Sequence, residues 1–192
     1  IKYEPLGTVG MISPWNFPFN LTIGPLISAL AAGNKVIIKP SEMTPNVSSL
    51  IGEMIYELFE PNRVAIFQGD QNVAQSLLKY PFHHIFFVGS PSVGKIVMGE
   101  AAKHLSSITL ELGGKTPTII DKTANIKMAI NKLAWGKCLN LGQSCISPDY
   151  ILIHESKKNE FVEVKIEDGY SPHKKDWSVA VSYTHLRAHE TS

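Results

Sequence analysis

The sequence predicts a doubly wound α/β fold, in which helices cover both faces of a parallel sheet. Short runs rich in β-branched residues alternate with longer segments whose apolar residues recur every three or four positions, as expected for alternating strands and helices. The strand candidates are continuous apolar runs, such as VII at residues 36–38 and IFFV at residues 85–88, which is typical of strands buried on both faces. With 192 residues, the chain is long enough for one domain, or for one domain and part of another.

The predicted elements follow one another from the first strand onward. That strand is expected at residues 8–12, and the first helix at residues 18–32, because Pro18 and Gly33 are residues that commonly begin and end a helix. Further strands are expected in the β-branched or aromatic runs at residues 35–39, 64–67, 84–88, 117–120 and 150–154. Further helices are expected, from the three-and-four spacing of apolar residues, at residues 45–58, 72–78, 92–104, 124–135 and 157–162.

Composition excludes several classes of protein. A hydrophobic fraction of 44% and a charged fraction of 18% suit a globular protein rather than a disordered or collagen-like chain. The 18 basic and 17 acidic side chains give a net charge of +1, too balanced for a dedicated nucleic-acid binder, so no nucleic-acid partner is expected. Two cysteines are too few for a disulfide scaffold, and the first residues do not form a signal peptide, so a cytoplasmic location is expected. The longest apolar segment, residues 17–32, is interrupted by polar residues and is not a membrane span.

The turns that follow the strands are the best places to look for a ligand site. Doubly wound sheets bind ligands beyond the carboxyl ends of their strands, where backbone amides and helix N-termini converge. Three of these turns are unusual, namely SPWNFP at residues 13–18, KPSE at residues 39–42 and GSPSVG at residues 89–94.

The turn at residues 89–94 lies between an apolar strand and a helix, which suits a phosphate. It departs from the dinucleotide-binding pattern G-x-G-x-x-G, because Pro91 takes the place of the second glycine. Read with Lys95 it matches the opening of a Walker A loop, and a P-loop-like nucleotide-binding module is one alternative, although Ile96 stands where Ser or Thr would hold magnesium. A tight turn that needs glycine for structural reasons alone is the other alternative.

Glu111 lies at the end of an apolar segment and is followed by two glycines, in LELGGK at residues 110–115. Glycines allow close approach of another backbone, and we expect the carboxylate to be desolvated. Burial raises the pKa of a carboxyl group toward the range useful to a general base at neutral pH. A salt-bridged glutamate at the end of a strand is the structural alternative.

Cys145 ends the motif GQSC at residues 142–145, in a loop between a predicted helix and a predicted strand. An exposed thiolate near helix amides is a nucleophile. The alternative is an inert buried thiol, which is the expectation for Cys138. A cofactor-independent thiol esterase would pair Cys145 with a histidine, and His104, on the predicted helix at residues 92–104, is the candidate. The spacing of the cysteines and histidines predicts no metal site, and the pair at residues 83–84 is expected to cap or cover the sheet.

Taken together, these motifs resemble the aldehyde dehydrogenase superfamily over residues 3–161. The motifs that carry the resemblance occur in the family's order: EPLG at residues 4–7, PWNFP at 14–18, AAGN at 31–34, KPSE at 39–42, FVGS at 87–90, LELGGK at 110–115 and GQSC at 142–145. Two further motifs, AAKHL at residues 101–105 and PDYIL at residues 148–152, resemble the branch that acts on fatty and aromatic aldehydes, which includes coniferyl-aldehyde dehydrogenases.

The resemblance implies an NAD(P)-dependent oxidation of an aldehyde to a carboxylic acid. Cys145 is implied as the nucleophile, with the side-chain amide of Asn16 and the backbone N–H of Cys145 holding the oxyanion. A hydride then passes from the thiohemiacetal to the nicotinamide, and Glu111 is implied to activate the water that hydrolyses the resulting thioester.

The resemblance also implies a Rossmann-like fold and a bound NAD, with NADP as the alternative. NAD comes first because the carboxylate of Glu42 repels a 2′-phosphate. The residues implied to hold the cofactor are Lys39 and Glu42 at the adenine ribose, Ser90 at the pyrophosphate, Gly89 and Gly94 in the phosphate turn, and Trp15 and Leu112 beside the nicotinamide.

The same resemblance divides the chain. Residues 1–110 are predicted to be a partial NAD(P)-binding domain and residues 111–161 the start of a catalytic domain. Residues 162–180 are charged, turn-rich and unassigned, and residues 181–192 look like the translated read-through of a sequencing adapter, a non-native tail. Family members are more than twice as long, so the segment is expected to be inactive alone. The resemblance also implies that the parent enzyme is a homo-oligomer. The sequence makes no prediction about a membrane anchor.

Overall fold

The computed structural model describes residues 4–163. The chain separates into two compact units, the first ending at Gly113 and the second beginning at Gly114. The assignment of these parts to cofactor binding and to catalysis stays a prediction. The predicted adapter-like tail at residues 181–192 and nearly all of the unassigned segment before it lie outside the described residues.

The first unit contains a five-stranded, entirely parallel sheet, which confirms the predicted doubly wound α/β fold. Its strands are β1 (Thr8–Ile12), β2 (Lys35–Lys39), β3 (Val64–Ile66), β4 (His84–Gly89) and β5 (Ser107–Leu112). They are arranged in the order β3-β2-β1-β4-β5. The order reverses between β1 and β4, so the crevice at their carboxyl ends is the expected ligand site of such a sheet.

Helices cover the two faces of this sheet. The helices are α1 (Asn20–Ala31), α2 (Pro45–Leu58), α3 (Gln71–Leu77) and α4 (Pro91–Ala102). Ile51 of α2 belongs to a buried cluster with Val36 and Ile38 of the interior strand β2 on one face. On the other face, Val97 of α4 belongs to a second buried cluster with Phe87 of β4. Each fully buried side chain of this kind contributes about 1.5–3 kcal/mol, which is what holds helices on both faces.

Strand β5 was not among the predicted strands. It lies at the edge of the sheet, where α4 packs on one face. Its apolar residues Ile108, Leu110 and Leu112 pack against the α4 side, and the polar residues between them point to the other face. The resulting alternation differs from the continuous apolar runs of the central strands, and this is why the pattern used for them missed it.

The helix predicted at residues 92–104 ends earlier, at Ala102. Leu105 adopts a left-handed backbone conformation, with φ of 54°, and the N–H of Ser106 donates to the carbonyl of Ala101 at 3.1 Å. This is a Schellman-type helix end, which usually requires glycine at the left-handed position. Because the sequence has leucine at this position, it does not predict the end of the helix.

The second unit is a two-stranded parallel sheet with helices on one face. Its elements are β6 (Thr116–Ile120), α5 (Ile126–Cys138), a 3-10 turn at Leu139–Gly142, β7 (Pro148–Ile153), a 3-10 turn at Glu155–Lys157 and α6 (Lys158–Glu163). The Asn125 side chain caps α5 by accepting a hydrogen bond from the N–H of Met128 at 3.0 Å. Ile120 of β6 packs with Ile126 and Ile130 of α5.

The opposite face of β6 and β7 carries exposed apolar side chains. Ile119 lies directly across from Leu152, and Pro117 directly across from Tyr150. All of these side chains are exposed. No helix in residues 4–163 has the length and apolar character of a membrane span.

Candidate active site

The carboxyl edge of the five-stranded sheet collects every predicted site residue except Cys145. Because the strands are parallel, the turns that follow β1, β2 and β4 and the end of β5 lie along one edge. The residues at that edge are Trp15 and Asn16 after β1, Lys39 at the end of β2 and Glu42 in the turn after it, Gly89 and Ser90 at the end of β4, Gly94 in the first turn of α4, and Glu111 and Leu112 at the end of β5.

Strand register aligns these residues. Gly89 pairs with Leu112, so the end of β5 lies level with the end of β4. On the other side, Ile12 at the end of β1 pairs with Lys39, and the next N–H, of Ser13, donates to the Lys39 carbonyl at 3.0 Å. The loop that carries Asn16 therefore lies between the turn after β2, at residues 39–42, and the turn after β4, at residues 89–94.

Lys39 is a buried cation, with 3% of its surface exposed. Its Nζ donates a hydrogen bond to the carboxylate of Glu42, and this pair supplies the compensating charge that a buried ammonium needs. Partial desolvation favours protonated Glu42, but the hydrogen bond from Lys39, a backbone hydrogen bond and the Lys39 charge together hold the pKa of Glu42 below its ordinary value. An ammonium has three donors, so the bond to Glu42 leaves two N–H groups for a ligand.

Ser90 is the N-cap of α4. Its hydroxyl accepts a hydrogen bond from the N–H of Val93 at 3.3 Å and lies 2.9 Å from the hydroxyl of Ser92, and Pro91 occupies the first helical position. Capping is thus a local role for Ser90. Its contact with a pyrophosphate stays a prediction.

Gly89 and Gly94 have a packing reason to be glycine. A Cβ on Gly89 would lie 2.5 Å from Cζ of Phe87, and one on Gly94 would lie 2.9 Å from Cδ2 of Leu112. Both distances are well inside ordinary van der Waals contact. A structural need for glycine therefore exists at both positions. A role of this turn in binding phosphate stays a prediction.

The expectation that Glu111 is desolvated is wrong for this structure, because its side chain is exposed. Glu111 points to the face of β5 opposite α4, and in residues 4–113 the helices α1 and α2 cover that face only over the strands on the far side of the sheet. Within the described residues Glu111 forms no ion pair, so the salt-bridged alternative does not hold either. Water reaches this carboxylate freely.

The side chains predicted beside the nicotinamide differ in burial. Trp15 is exposed, whereas Asn16 and Leu112 are half-buried. The turn that carries Trp15 and Asn16 is tied to α1, because the buried hydroxyl of Thr22 donates to the carbonyl of Pro18 at 2.7 Å.

In the second unit, Cys145 lies in a hydrogen-bonded turn. The N–H of Ser147 donates to the carbonyl of Ser144 at 3.1 Å, which places Cys145 second in a four-residue turn with its thiol exposed. Among the described residues, no protein acceptor receives the N–H of Cys145. The expected helix amides are not present in the loop itself, because it follows the C-terminal end of α5 rather than preceding a helix N-terminus.

Cys138 is exposed at the end of α5, so the expectation of a buried, inert thiol is wrong. The buried face of α5 is formed by Ile126 and Ile130 in its first two turns, and burial declines toward the helix end.

A cavity of about 520 Å³ lies beside the Cys145 turn within the second unit. Its walls include the apolar side chains Trp135, Leu139, Ile146 and Pro148, together with Lys132, Ser144 and Ser147. Sequence reasoning did not select these residues. The available signal was a pair of exposed large apolar side chains, Trp135 in the last turn of α5 and Leu139 directly after its end.

His83, His84 and His104 are not positioned for catalysis at this edge. His104 is exposed in the turn after α4, not on the helix as predicted, and that turn leads into the amino end of β5, the edge opposite the candidate site. His83 Nδ1 accepts a hydrogen bond from the N–H of Thr8 at 3.0 Å, which confirms the predicted capping role. His84 lies 2.8 Å from the hydroxyl of Ser107, and burial lowers the pKa of His84. Residues 4–163 contain no cluster of three or more His, Cys, Asp or Glu side chains able to hold a metal ion.

Comparison with known proteins decides the family. The sequence model described as "Aldehyde dehydrogenase family" matches residues 1–169. The chain belongs to the aldehyde dehydrogenase family. This family match is preferred over the two alternative interpretations of the sequence, a P-loop-like nucleotide-binding module and a cofactor-independent thiol esterase.

Relatives of this aldehyde dehydrogenase chain cover a range of aldehydes. It is 51% identical to the 4,4'-diaponeurosporen-aldehyde dehydrogenase of Staphylococcus aureus over 84% of the chain and 35% of that protein. It is 47% identical to the dimeric NADP-preferring aldehyde dehydrogenase of Mus musculus (85% and 36%) and 44% identical to the probable coniferyl aldehyde dehydrogenase of Pseudomonas aeruginosa (92% and 37%). The chain thus spans about a third of the length of the curated relatives it matches.

A solved structure shows the same fold. The crystal structure of PnpE from Pseudomonas in complex with nicotinamide adenine dinucleotide superposes with a TM-score of 0.77 at 37% identity, over 83% of this chain and 34% of PnpE.

Proposed function

We propose that the full-length protein containing this chain oxidises an aldehyde to a carboxylic acid with NAD(P), using Cys145 as the nucleophile. One observation carries the proposal: in a chain of this family, the Cys145 thiol is exposed on a turn whose own N–H makes no hydrogen bond within the described residues. A nucleophile and an oxyanion donor therefore belong to the same residue.

The chemistry divides among three residues. The Cys145 thiolate attacks the carbonyl carbon, a C–S bond forms, and the carbonyl oxygen becomes an oxyanion. The N–H of Cys145 and the side-chain amide of Asn16 donate to that oxyanion, and one such donor is worth about 3 kcal/mol in the transition state. After hydride departure leaves a thioester on Cys145, Glu111 takes a proton from the attacking water, the C–S bond breaks and the acid leaves. The exposure of Glu111 gives water direct access to this base.

The carboxyl edge of the five-stranded sheet fits a nicotinamide dinucleotide. Gly89 and Gly94 let the turn pack closely on Phe87 and Leu112, and the first turn of α4 points its amides out of that edge. Lys39 keeps two donors, and Glu42 keeps a second carboxylate oxygen, for ribose hydroxyls. The bound group would supply the hydride acceptor. We assign NAD first, because the negative charge of Glu42 disfavours a 2′-phosphate.

The substrate assigned is an aldehyde with a large apolar group, either long-chain or aromatic. Support comes from the cavity beside the Cys145 turn, where Trp135, Leu139 and Ile146 offer apolar surface. An aldehyde held by that surface gains about 25 cal/mol for each Å² of apolar area removed from water.

The test compares the two cysteines of the chain in the full-length protein. NADH formation is measured with medium-chain, long-chain and aromatic aldehydes. We expect Cys145→Ala to abolish the reaction, whereas the matched control Cys138→Ala, at the other exposed thiol, keeps kcat within about twofold. Aldehyde oxidation that survives Cys145→Ala overturns the proposal.

A second comparison isolates the base. Glu111→Gln is expected to keep the first burst of NADH but to slow turnover, so that an acyl adduct on Cys145 accumulates and is detected by intact mass spectrometry. Thioester hydrolysis at the wild-type rate in this variant rules out Glu111. Glu42→Gln is expected to raise kcat/KM for NADP relative to NAD, and an unchanged ratio rules out Glu42 as the source of the preference.

A further inference from the structure

The backbone immediately before Cys145 makes a left-handed turn. Asn140 has φ and ψ of 50° and 36°, Leu141 has 58° and 28°, and Gly142 has φ of 78°. Only glycine enters this region freely, and asparagine tolerates it better than other residues, because the Cβ of an L-residue crowds the following carbonyl. Three consecutive residues of this kind form an unusual and costly segment, which we call the left-handed turn (residues 140–142).

Burial of side chains does not hold the left-handed turn in place. Leu141, the residue least suited to this conformation, is 86% exposed, so packing of its side chain gives little in return. Gly142 fits only because it lacks a side chain, since a Cβ there would lie 3.2 Å from the carbonyl oxygen of Lys137. The cause must therefore lie in hydrogen bonds.

Asn140 makes two of those hydrogen bonds, and both go to Gln143. The main-chain carbonyl of Asn140 accepts from the N–H of Gln143 at 3.1 Å. Its side-chain Nδ2 donates to the carbonyl of Gln143 at 3.4 Å. One residue thus fixes the peptide groups on both sides of Gln143 and closes the left-handed turn.

The turn that holds Cys145 starts at the next residue. Ser144 accepts from the N–H of Ser147 at 3.1 Å through its carbonyl and from the N–H of Ile146 at 3.4 Å through its hydroxyl. The exposed thiol of Cys145 has no packing of its own to fix its position. The direction in which the chain leaves Gln143 therefore sets where the thiol and the N–H of Cys145 point.

From these contacts we infer that Asn140 is a positioning residue for Cys145. This inference rests on the proposed function, in which Cys145 is the nucleophile. Asn140 does not touch the substrate; it acts through Gln143 on the orientation of the turn that carries the thiol and its oxyanion-binding N–H. Misplacement of a reacting group by about 1 Å is enough to cost up to about 100-fold in rate.

The experiment uses the full-length protein with two substitutions at one position. Asn140→Asp keeps the size of the side chain and its tolerance of left-handed backbone, but turns the donor facing the Gln143 carbonyl into an acceptor. Asn140→Gly keeps the backbone conformation and removes the side chain without adding charge. Asn131→Asp, at an exposed asparagine of α5, is the matched control for the added charge.

Steady-state kinetics, the NADH burst of the first turnover and the melting temperature are measured for each variant. For Asn140→Asp and Asn140→Gly we expect kcat and the burst rate to fall about tenfold or more, with KM for the aldehyde within about threefold of wild type. We expect Asn131→Asp to behave as wild type. A purely structural role for Asn140 would lower the melting temperature without this separation of kcat from KM.

The outcomes are distinguishable. If Asn140→Asp does not fold, Asn140→Gly decides, and a wild-type kcat and burst rate in that variant overturns the inference. Activity that survives Cys145→Ala overturns the proposed function and this inference together. An inactive Cys145→Ala variant beside fully active Asn140 variants overturns this inference alone.

Discussion

Replacing Gly89 with alanine is expected to displace Phe87 from the core beneath the candidate cofactor turn. The new Cβ would lie 2.5, 3.0 and 3.3 Å from three atoms of the Phe87 ring, where ordinary contacts begin at about 3.4 Å. The ring would have to retreat by nearly 1 Å. Phe87 is only 3% exposed and belongs to the buried cluster with Val97 of α4, so the ring has little space into which to move.

Overpacking of a filled core costs about 1–3 kcal/mol, and we expect Gly89→Ala to lower the free energy of unfolding by that amount. Urea unfolding followed by circular dichroism measures the change. Gly99→Ala in α4 is the matched control, because nothing lies within 4 Å of a Cβ at that exposed position. Alanine there is expected to stabilise the helix by about 0.5–1 kcal/mol.

A double-mutant cycle tests the cause. Phe87→Leu removes the ring atoms that Gly89→Ala would strike. In that background we expect Gly89→Ala to lower the free energy of unfolding by about 1 kcal/mol less than in the wild type, a difference larger than the ~0.5 kcal/mol by which independent mutations depart from additivity. If Gly89→Ala destabilises equally in both backgrounds, or leaves stability unchanged in the wild type, the steric account of this glycine is refuted.

Three further outcomes are expected from residues elsewhere in the chain. Since the pKa of Glu42 in the folded protein lies below its ordinary value of 4.5, its pairing with Lys39 stabilises the fold fully above pH 4.5 and loses that contribution as the pH falls. The difference in the free energy of unfolding between wild type and Glu42→Gln should therefore shrink on acidification, and a difference that grows contradicts this. Within residues 4–163 the hydroxyl of Ser147 is buried without a hydrogen-bond partner, so Ser147→Ala should leave the free energy of unfolding unchanged or raise it. A decrease of more than about 1 kcal/mol in the free energy of unfolding would contradict this. Leu141→Gly relieves a left-handed leucine and should stabilise by about 0.5–1 kcal/mol in urea unfolding; destabilisation would show that the leucine conformation is not strained.

Much of the fold could be predicted because the burial of the interior strands on both faces is visible in their sequences. β1 and β2 occur at the predicted residues, since strands covered on both faces are continuous apolar runs. β5 was missed because an edge strand with one covered face alternates apolar and polar residues. The end of α4 was missed because Leu105 takes a conformation for which its side chain gives no signal.

The candidate site was predicted in its location but not in its environment. Parallel strands bring their carboxyl ends to one edge wherever the turn motifs are recognised, so the positions of Asn16, Lys39 and Ser90 followed from the strand predictions. The exposure of Glu111 did not follow, because burial depends on which elements cover an edge strand and not on the residues beside it. The left-handed turn could not be predicted either, because Leu141, between the permissive Asn140 and Gly142, disfavours this conformation.

The uncovered side of β6 and β7 bears on how this segment behaves in the laboratory. Its cross-strand pairs, Ile119 with Leu152 and Pro117 with Tyr150, place exposed apolar side chains next to one another. A ribbon of two strands gains too little from its covered side to tolerate such a surface. Purified by themselves at rising concentration, residues 114–163 would self-associate and precipitate, whereas a fusion partner that shields this side would keep them dispersed.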